Sequence, residues 1–309
     1  DTINSLIKRQ ARFDVDVLMA ERQRIESLLK RSGFYYFNKD YLYIEADSSL
    51  NANQVNITLK ARPMLQSRAD GTIEKSVHKR LKIRSVSFIP WYNPELRFSE
   101  QITDTVLYAN YKFYYNQKKH IRPSLLTEKT FIIPGNYYDE KDVEKTYVAL
   151  NGLGIAKYVN ISFREREAGM LDCFITISPN KIQGFSLEVE GTNTDGDIGA
   201  AINTTYHHRN LFKGSEQLNI KLRTAYQPMG DLTDLLSNNS LDLGGEVSVR
   251  FPKFMFPFLS DNIKRRIRSN TELSVSYNFQ TNPWYTRIIG GTALRYIWVT
   301  GSTNNERYV

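Results

Sequence analysis

From residue 183 onward the chain alternates apolar and polar side chains in short runs, with no core-forming helix between them. Phe185, Leu187 and Val189 alternate with Ser186, Glu188 and Glu190, and Leu218, Ile220 and Leu222 with Asn219, Lys221 and Arg223. The pattern returns in Val247, Val249 and Phe251 against Ser248 and Arg250. It returns again in Leu273, Val275, Tyr277 and Phe279 against Ser274, Ser276 and Asn278. Strand side chains point to opposite faces with period two, so each run predicts a strand with one apolar face and one wet face. Such a sheet is either one side of a soluble sandwich or the wall of a membrane barrel.

Upstream the period changes. Val15 to Arg31 predicts one amphipathic helix, with Val15, Leu18, Met19, Ile25, Leu28 and Leu29 as its apolar stripe. Asp14 is placed to cap it, and Gly33 falls just past its end. Ser5 to Lys8 reads as a short preceding helix, and Tyr41 to Ala46 and Gln54 to Ala61 as two strands. A charged stretch, Gln66 to Lys79, leads to a second unit. There Leu81 to Ile89 reads as a strand, the Tyr-rich Thr105 to Gln117 as an extra hairpin or strand, and Pro123 to Thr127 as a helical turn. Asp139 to Leu150 follows as a helix closed by Asn151-Gly152, and Tyr158 to Arg164 and Leu171 to Ser178 as strands. The shared plan is β-α-α-β-β, with the opening strand missing from the first unit. The chain thus divides into an α+β module at 1–63, a linker at 64–80, a second α+β module with an insertion at 81–180, and an antiparallel strand-rich part at 181–309.

Composition narrows the classes. In 309 residues no apolar run approaches the roughly 18 residues of a membrane-spanning helix, a test that strands of a barrel evade. The single cysteine, Cys173, excludes an intrachain disulfide framework and reads as a small buried apolar residue. A net charge of +8 suits nucleic acid or an anionic membrane surface. No nucleic-acid module is visible, and nucleic acid is not expected as a partner. The main basic cluster, Lys264-Arg265-Arg266-Ile267-Arg268, follows the apolar Phe254-Met255-Phe256-Pro257-Phe258-Leu259. That order reads as a membrane-interface segment, against the plainer alternative of a solvated turn beside a buried loop.

Catalytic chemistry finds little support. His207 and His208 are adjacent, so a strand sends their imidazoles to opposite faces, a poor chelate. Asp195-Gly196-Asp197 lacks the remaining ligands of a calcium loop and reads as a hairpin turn. There is no Gly-x-Ser-x-Gly elbow and no phosphate-binding glycine loop. The expectation is a non-enzyme with no metal site and no cofactor.

Three groups of residues carry a resemblance. The first is Phe13-Asp14, Glu21-Arg22, Arg24-Ile25 and Ser32-Gly33-Phe34-Tyr35. The second is Pro134-Gly135-Asn136-Tyr137-Tyr138, Val143 to Thr146, Leu150-Asn151-Gly152-Leu153-Gly154 and Val159-Asn160-Ile161-Ser162-Phe163. The third is Arg209-Asn210-Leu211-Phe212-Lys213-Gly214-Ser215-Glu216. In this order, with alternating strands beginning after the second unit, they resemble the BamA/TamA superfamily of outer-membrane assembly factors. The two modules are similar to its periplasmic POTRA repeats, and the Glu-Arg helix and the insertion are most similar to the TamL type of Bacteroidetes.

The resemblance implies a transmembrane β-barrel in the outer membrane and modules in the periplasm. It implies outer-membrane lipid, unfolded outer-membrane or exported clients, and periplasmic or lipoprotein accessory subunits as partners. Tyr158, Val159, Asn160, Ile161, Ser162 and Phe163 become a client-binding edge strand, unless the 105–117 insertion blocks that edge. Gly184, Phe185, Leu187, Glu188, Val189 and Gly191 become the first barrel strand, half of the seam where the barrel closes. Arg209, Asn210, Leu211, Phe212 and Gly214 become a periplasmic turn. About six strands precede Val309, against sixteen in the family, and its late loop with an Arg-Gly motif has no match, so a longer protein is expected. A dedicated secretion pore of the same superfamily and a soluble all-β binding module stay open as alternatives.

Overall fold

The computed structural model of the chain describes residues 4–49, 54–67, 73–97, 100–116, 119–194, 197–228, 239–256, 268–302 and 305–307. Helix α1 (Val15–Arg31) begins where Asp14 accepts the Asp16 N–H at 2.8 Å and ends at Ser32, followed by Gly33 at φ +104°. Its stripe is only half covered: Leu18 is buried, whereas Val15 and Met19 are 54% and 51% exposed. The helix packs on the one-turn helix Lys39–Tyr41 and on the helix Glu140–Asn151 of the second unit, while β1 (Leu42–Asp47) pairs with β2 (Asn56–Ala61) as a hairpin.

The helix expected at Ser5 to Lys8 does not form; these residues run as turns and irregular chain. The buried Glu21 of α1 takes hold of them instead, accepting from the Ser5 hydroxyl and the Leu6 N–H, both at 2.9 Å. A four-residue helix is too short to nucleate against such tertiary bonds. The stretch expected as a plain linker also differs, since β3 (Met64–Ser67) and β4 (Ile73–Ser76) pair as a hairpin. The signal in the sequence was Asp70-Gly71 between two short apolar-containing runs.

The second unit comprises, in chain order, β5 (Lys82–Pro90), β6 (Asp104–Tyr108), β7 (Tyr111–Tyr115), α2 (Pro123–Glu128), α3 (Glu140–Asn151), β8 (Ala156–Glu167) and β9 (Met170–Pro179). Its sheet runs β6-β7-β5-β9-β8, with β9 parallel to β5 and antiparallel to β8. The insertion is the β6–β7 hairpin, turned by Ala109 and Asn110 at φ +48° and +66°. Val86, Phe88, Phe113, Leu126, Leu150 and Ile175 make a core closed to water. Cys173 lies among them, and burial pushes its thiol far up. The two units touch: Leu81 N–H donates to Gly33 O at 2.8 Å, and the Tyr35 ring lies 5.0 Å from Tyr138 and 5.5 Å from Phe163.

The remainder is one antiparallel wall in chain order. It consists of β10 (Gln183–Thr194), β11 (Asp197–His208), β12 (Gln217–Pro228), β13 (Asn239–Phe251), β14 (Arg268–Thr281), β15 (Thr286–Ser302) and the short β16 (Asn305–Arg307). That is one strand more than alternation predicts. Register puts Phe185, Tyr206, Ile220, Val247 and Val275 side by side across five strands. The eleven apolar residues Phe185, Leu187, Val189, Leu218, Ile220, Leu222, Val247, Val249, Leu273, Val275 and Tyr277 share that face.

The opposite face is laced with charge. Asn203 donates to Glu190 at 2.7 Å, and Arg223 reaches both, at 2.9 Å and 3.1 Å. Lys221 stands 3.8 Å from Glu246. Glu272 receives Arg250 at 2.6 Å from one neighbouring strand and Arg295 at 3.1 Å from the other. Strands of 12 to 17 residues from β10 to β15 exceed the roughly 9–11 a tilted membrane-spanning strand needs.

Candidate functional site

Two sheet edges and one turn gather the residues singled out in the sequence. Tyr158 to Phe163 lie in β8, which among the described residues pairs with β9 alone. The inserted hairpin joins the sheet at its opposite side, beyond β5, and so does not block that edge. Tyr158 is 65% exposed, whereas Val159 turns into the core. Gly184 to Gly191 lie in β10, at the edge of the wall, paired only with β11 among the described residues. Phe185, Leu187 and Val189 project outward at 67%, 60% and 72% exposure, and Glu188 and Glu190 occupy the other face. Gly184 lies under the His207 ring, where any β-carbon would collide, while Gly191 has open space beside it.

The turn between β11 and β12 is densely bonded. Arg209 donates from its backbone to Ile182 O at 2.8 Å and from its guanidinium to Lys181 O at 2.9 Å. Asn210 is buried and works in two directions. Its Oδ1 accepts the Ser215 N–H at 3.0 Å, and its Nδ2 donates to His120 O at 2.8 Å, in the second unit. Leu211 N–H closes the turn on Glu216 O at 3.1 Å.

Glu216, buried at the end of the turn, is its hub. Its Oε2 accepts the N–H groups of Phe212 and Gly214 at 3.1 Å and 2.9 Å, and its Oε1 receives Arg122 at 2.5 Å. Arg122 N–H in turn donates to Lys213 O at 2.9 Å. A β-carbon on Gly214 would strike the ends of both Glu216 and Arg122, so any larger residue there has to push the clamp aside. Phe212 stays 58% exposed at the tip. Nearby, the Gln217 side chain fills the space a β-carbon would take on Gly154.

Sequence reading missed His120, Arg122 and the role of Glu216. The clue in the chain is a carboxylate directly after Lys-Gly-Ser at the start of an alternating strand. Its partner 94 residues away has no local signal. His208 Nδ1 accepts the Asn210 N–H at 3.3 Å, a turn contact. Among the described residues no group of three or more His, Cys, Asp or Glu is arranged to hold a metal. Asp195 and Gly196 lie outside the described residues, as do Pro257 to Ile267 of the fat-then-basic segment. Phe254 to Phe256 fold back toward β15, and Arg268 opens β14.

No family model and no curated protein matches this chain. Among solved structures it is similar to BamA from Haemophilus ducreyi lacking POTRA domains 1–3, with 11% identity, a TM-score of 0.43, and coverage of 98% of this chain and 57% of that one. It is also similar to CdiB from Acinetobacter baumannii, with 10% identity, a TM-score of 0.37, and coverage of 94% and 51%. The chain spans little more than half the length of either protein.

Proposed function

We propose that the chain is the module-bearing part, with the first wall strands, of an outer-membrane assembly factor. It helps β-barrel or surface-exported clients into or across the membrane. The observation that carries this reading is β10, the first strand of the wall, 12 residues long with an apolar outer face and a charged inner face. Where a seam beside β10 opens in lipid, backbone groups are left unsatisfied, at several kcal/mol each, so an entering client strand is a favoured partner. A client strand adding to β10 makes its own hydrogen bonds as it enters, which lowers the barrier to insertion. No covalent chemistry, nucleotide or cofactor is needed.

The modules stand in the periplasm in this reading. The β8 edge offers a second strand-addition site and raises the local concentration of unfolded client. Lipid meets the apolar wall face, and accessory subunits join at the modules.

The test places a photoreactive p-benzoylphenylalanine at Ser186 in β10, at Asn160 in β8 and at Ser276 in the interior strand β14. With unfolded client barrel present, adducts form from Ser186 and Asn160 and not from Ser276. Adducts from Asn160 alone overturn templating by the wall and leave the module role. Equal yields at all three positions overturn both.

A further inference from the structure

After β13 the chain does not turn directly into β14. Residues 252–256 fold back along the outer apolar face of the wall at the end nearest the second unit. Phe254 lies 5.1 Å from the Tyr296 ring and 6.2 Å from Trp298, and Phe256 lies 5.8 Å from Tyr296. Tyr296 and Trp298 belong to β15, and register places Tyr296 opposite Thr271 on the face that also carries Leu273 and Val275. The nearly buried Thr271 fixes the fold-back with its hydroxyl, which donates to Lys253 O at 3.0 Å and accepts the Met255 N–H at 2.9 Å. Between the two half-buried rings Met255 projects, 45% exposed.

We infer that this fold-back is a lipid-interface anchor, seated at the boundary of headgroups and acyl chains on the module side of the membrane. The inference rests on the wall being a membrane wall. Two observations choose lipid over a protein partner. The aromatic patch is continuous with the outer apolar face rather than set apart as a pocket. It also has a counterpart at the correct height: Trp284 and Tyr285 sit exposed in the turn at the other end of the β14–β15 hairpin.

Tyr285 and Tyr296 are eleven residues apart in the chain. At about 3.3 Å per residue that is roughly 36 Å along the strand, or about 26 Å across a membrane at a tilt near 45°. An outward apolar band between two aromatic girdles is about 25 Å tall. Ring side chains with one polar edge settle at such levels, and the exposed Lys253 beside them faces the headgroups. The anchor therefore fixes how deep the wall sits, and with it the height of the β11–β12 turn at the same end.

The experiment attaches an environment-sensitive fluorophore to Met255→Cys or to Leu222→Cys, the latter on the outer face in mid-strand. Buried Cys173 does not compete for label in the folded protein. The protein is reconstituted in vesicles containing lipid with a nitroxide either near the headgroup or near the chain end. Expected is strong quenching of the Met255 probe by the shallow nitroxide and of the Leu222 probe by the deep one. Adding Phe254→Ser with Phe256→Ser releases the first probe from the shallow quencher and leaves the second unchanged. Quenching at Leu222 without quenching at Met255 overturns the anchor alone. Quenching at neither overturns the membrane wall itself, and deep quenching at Met255 overturns the assigned level.

Discussion

Glu216→Gln is a small change in shape that removes a charge from the centre of the clamp. The carboxylate side chain is 7% exposed and accepts two backbone N–H groups and one guanidinium. Hydrogen bonds to a charged acceptor contribute about 1.5–3 kcal/mol and neutral ones about 1, so at the low end the two backbone bonds lose roughly 1 kcal/mol between them. Arg122 is 52% exposed and rehydrates when its partner is lost, so the ion pair contributes only about 1 kcal/mol more. The total, about 2 kcal/mol, is roughly a thirtyfold increase in local opening.

Native-state hydrogen exchange reads this directly, because opening exposes amides that the clamp protects. The amides of Phe212 and Gly214 should exchange faster by that factor. So should Arg122, whose N–H is held by Lys213 across the interface. Arg122→Gln alone should accelerate the turn by only about fivefold, and a double-mutant cycle should return a coupling near 1 kcal/mol. Unchanged exchange at Arg122 in the Glu216→Gln protein would refute the idea that the turn and the second unit open as one.

The wall makes a contrasting pair: in the proposed membrane setting, Ile220→Arg on the apolar face should destabilise the fold by roughly 2–4 kcal/mol near mid-depth. Lys221→Leu, one residue on, should change stability by less than about 1 kcal/mol, since its partner Glu246 is 3.8 Å away and both are well exposed. Equal losses in unfolding titrations from lipid vesicles would argue for a soluble sheet. At the other end of the chain, Arg24 beside Glu21, with the Leu6 N–H and Ser5 hydroxyl, outweighs burial and holds the carboxyl down to about 2. Its stabilisation is complete above the ordinary carboxylate range near 4.3 and is lost as pH falls from there through about 2, on the order of 2–3 kcal/mol. Exchange at Leu6 should therefore lose protection on acidification, and Glu21→Gln should abolish that pH dependence.

What the sequence made legible was whatever depends on neighbours along the chain. Helix α1 falls on its expected residues because Asp14, the 3.6-residue stripe and Gly33 all act within one or two turns. The two faces of the wall were readable because period two needs no knowledge of a partner strand. Strand β11 was harder, since Thr204 and Thr205 interrupt the contrast between its faces. Ser5 to Lys8 misled because the deciding group, Glu21, lies more than a dozen residues on and competes from outside the segment. The exposure of Val15 and Met19 was equally hidden, since a stripe states what can be buried and not whether anything arrives to cover it. Arg122, Glu216 and the Arg250–Glu272–Arg295 ladder depend on register and on packing between units, to which a single sequence gives no access.

Among the described residues, the second unit is tied to the start of the wall at two places. One is covalent, the three residues between β9 and β10, and the other is the clamp on the β11–β12 turn. A body held at one point can swivel; held at two it can rotate only about the line that joins them. The unit and the first two wall strands thus behave as a bracket, and a torque applied to the β8 edge is delivered to β10 instead of being dissipated in a flexible neck. Breaking the Arg122–Glu216 contact would loosen one bolt, and only losing the Asn210–His120 and Arg122–Lys213 bonds as well would turn the bracket into a hinge.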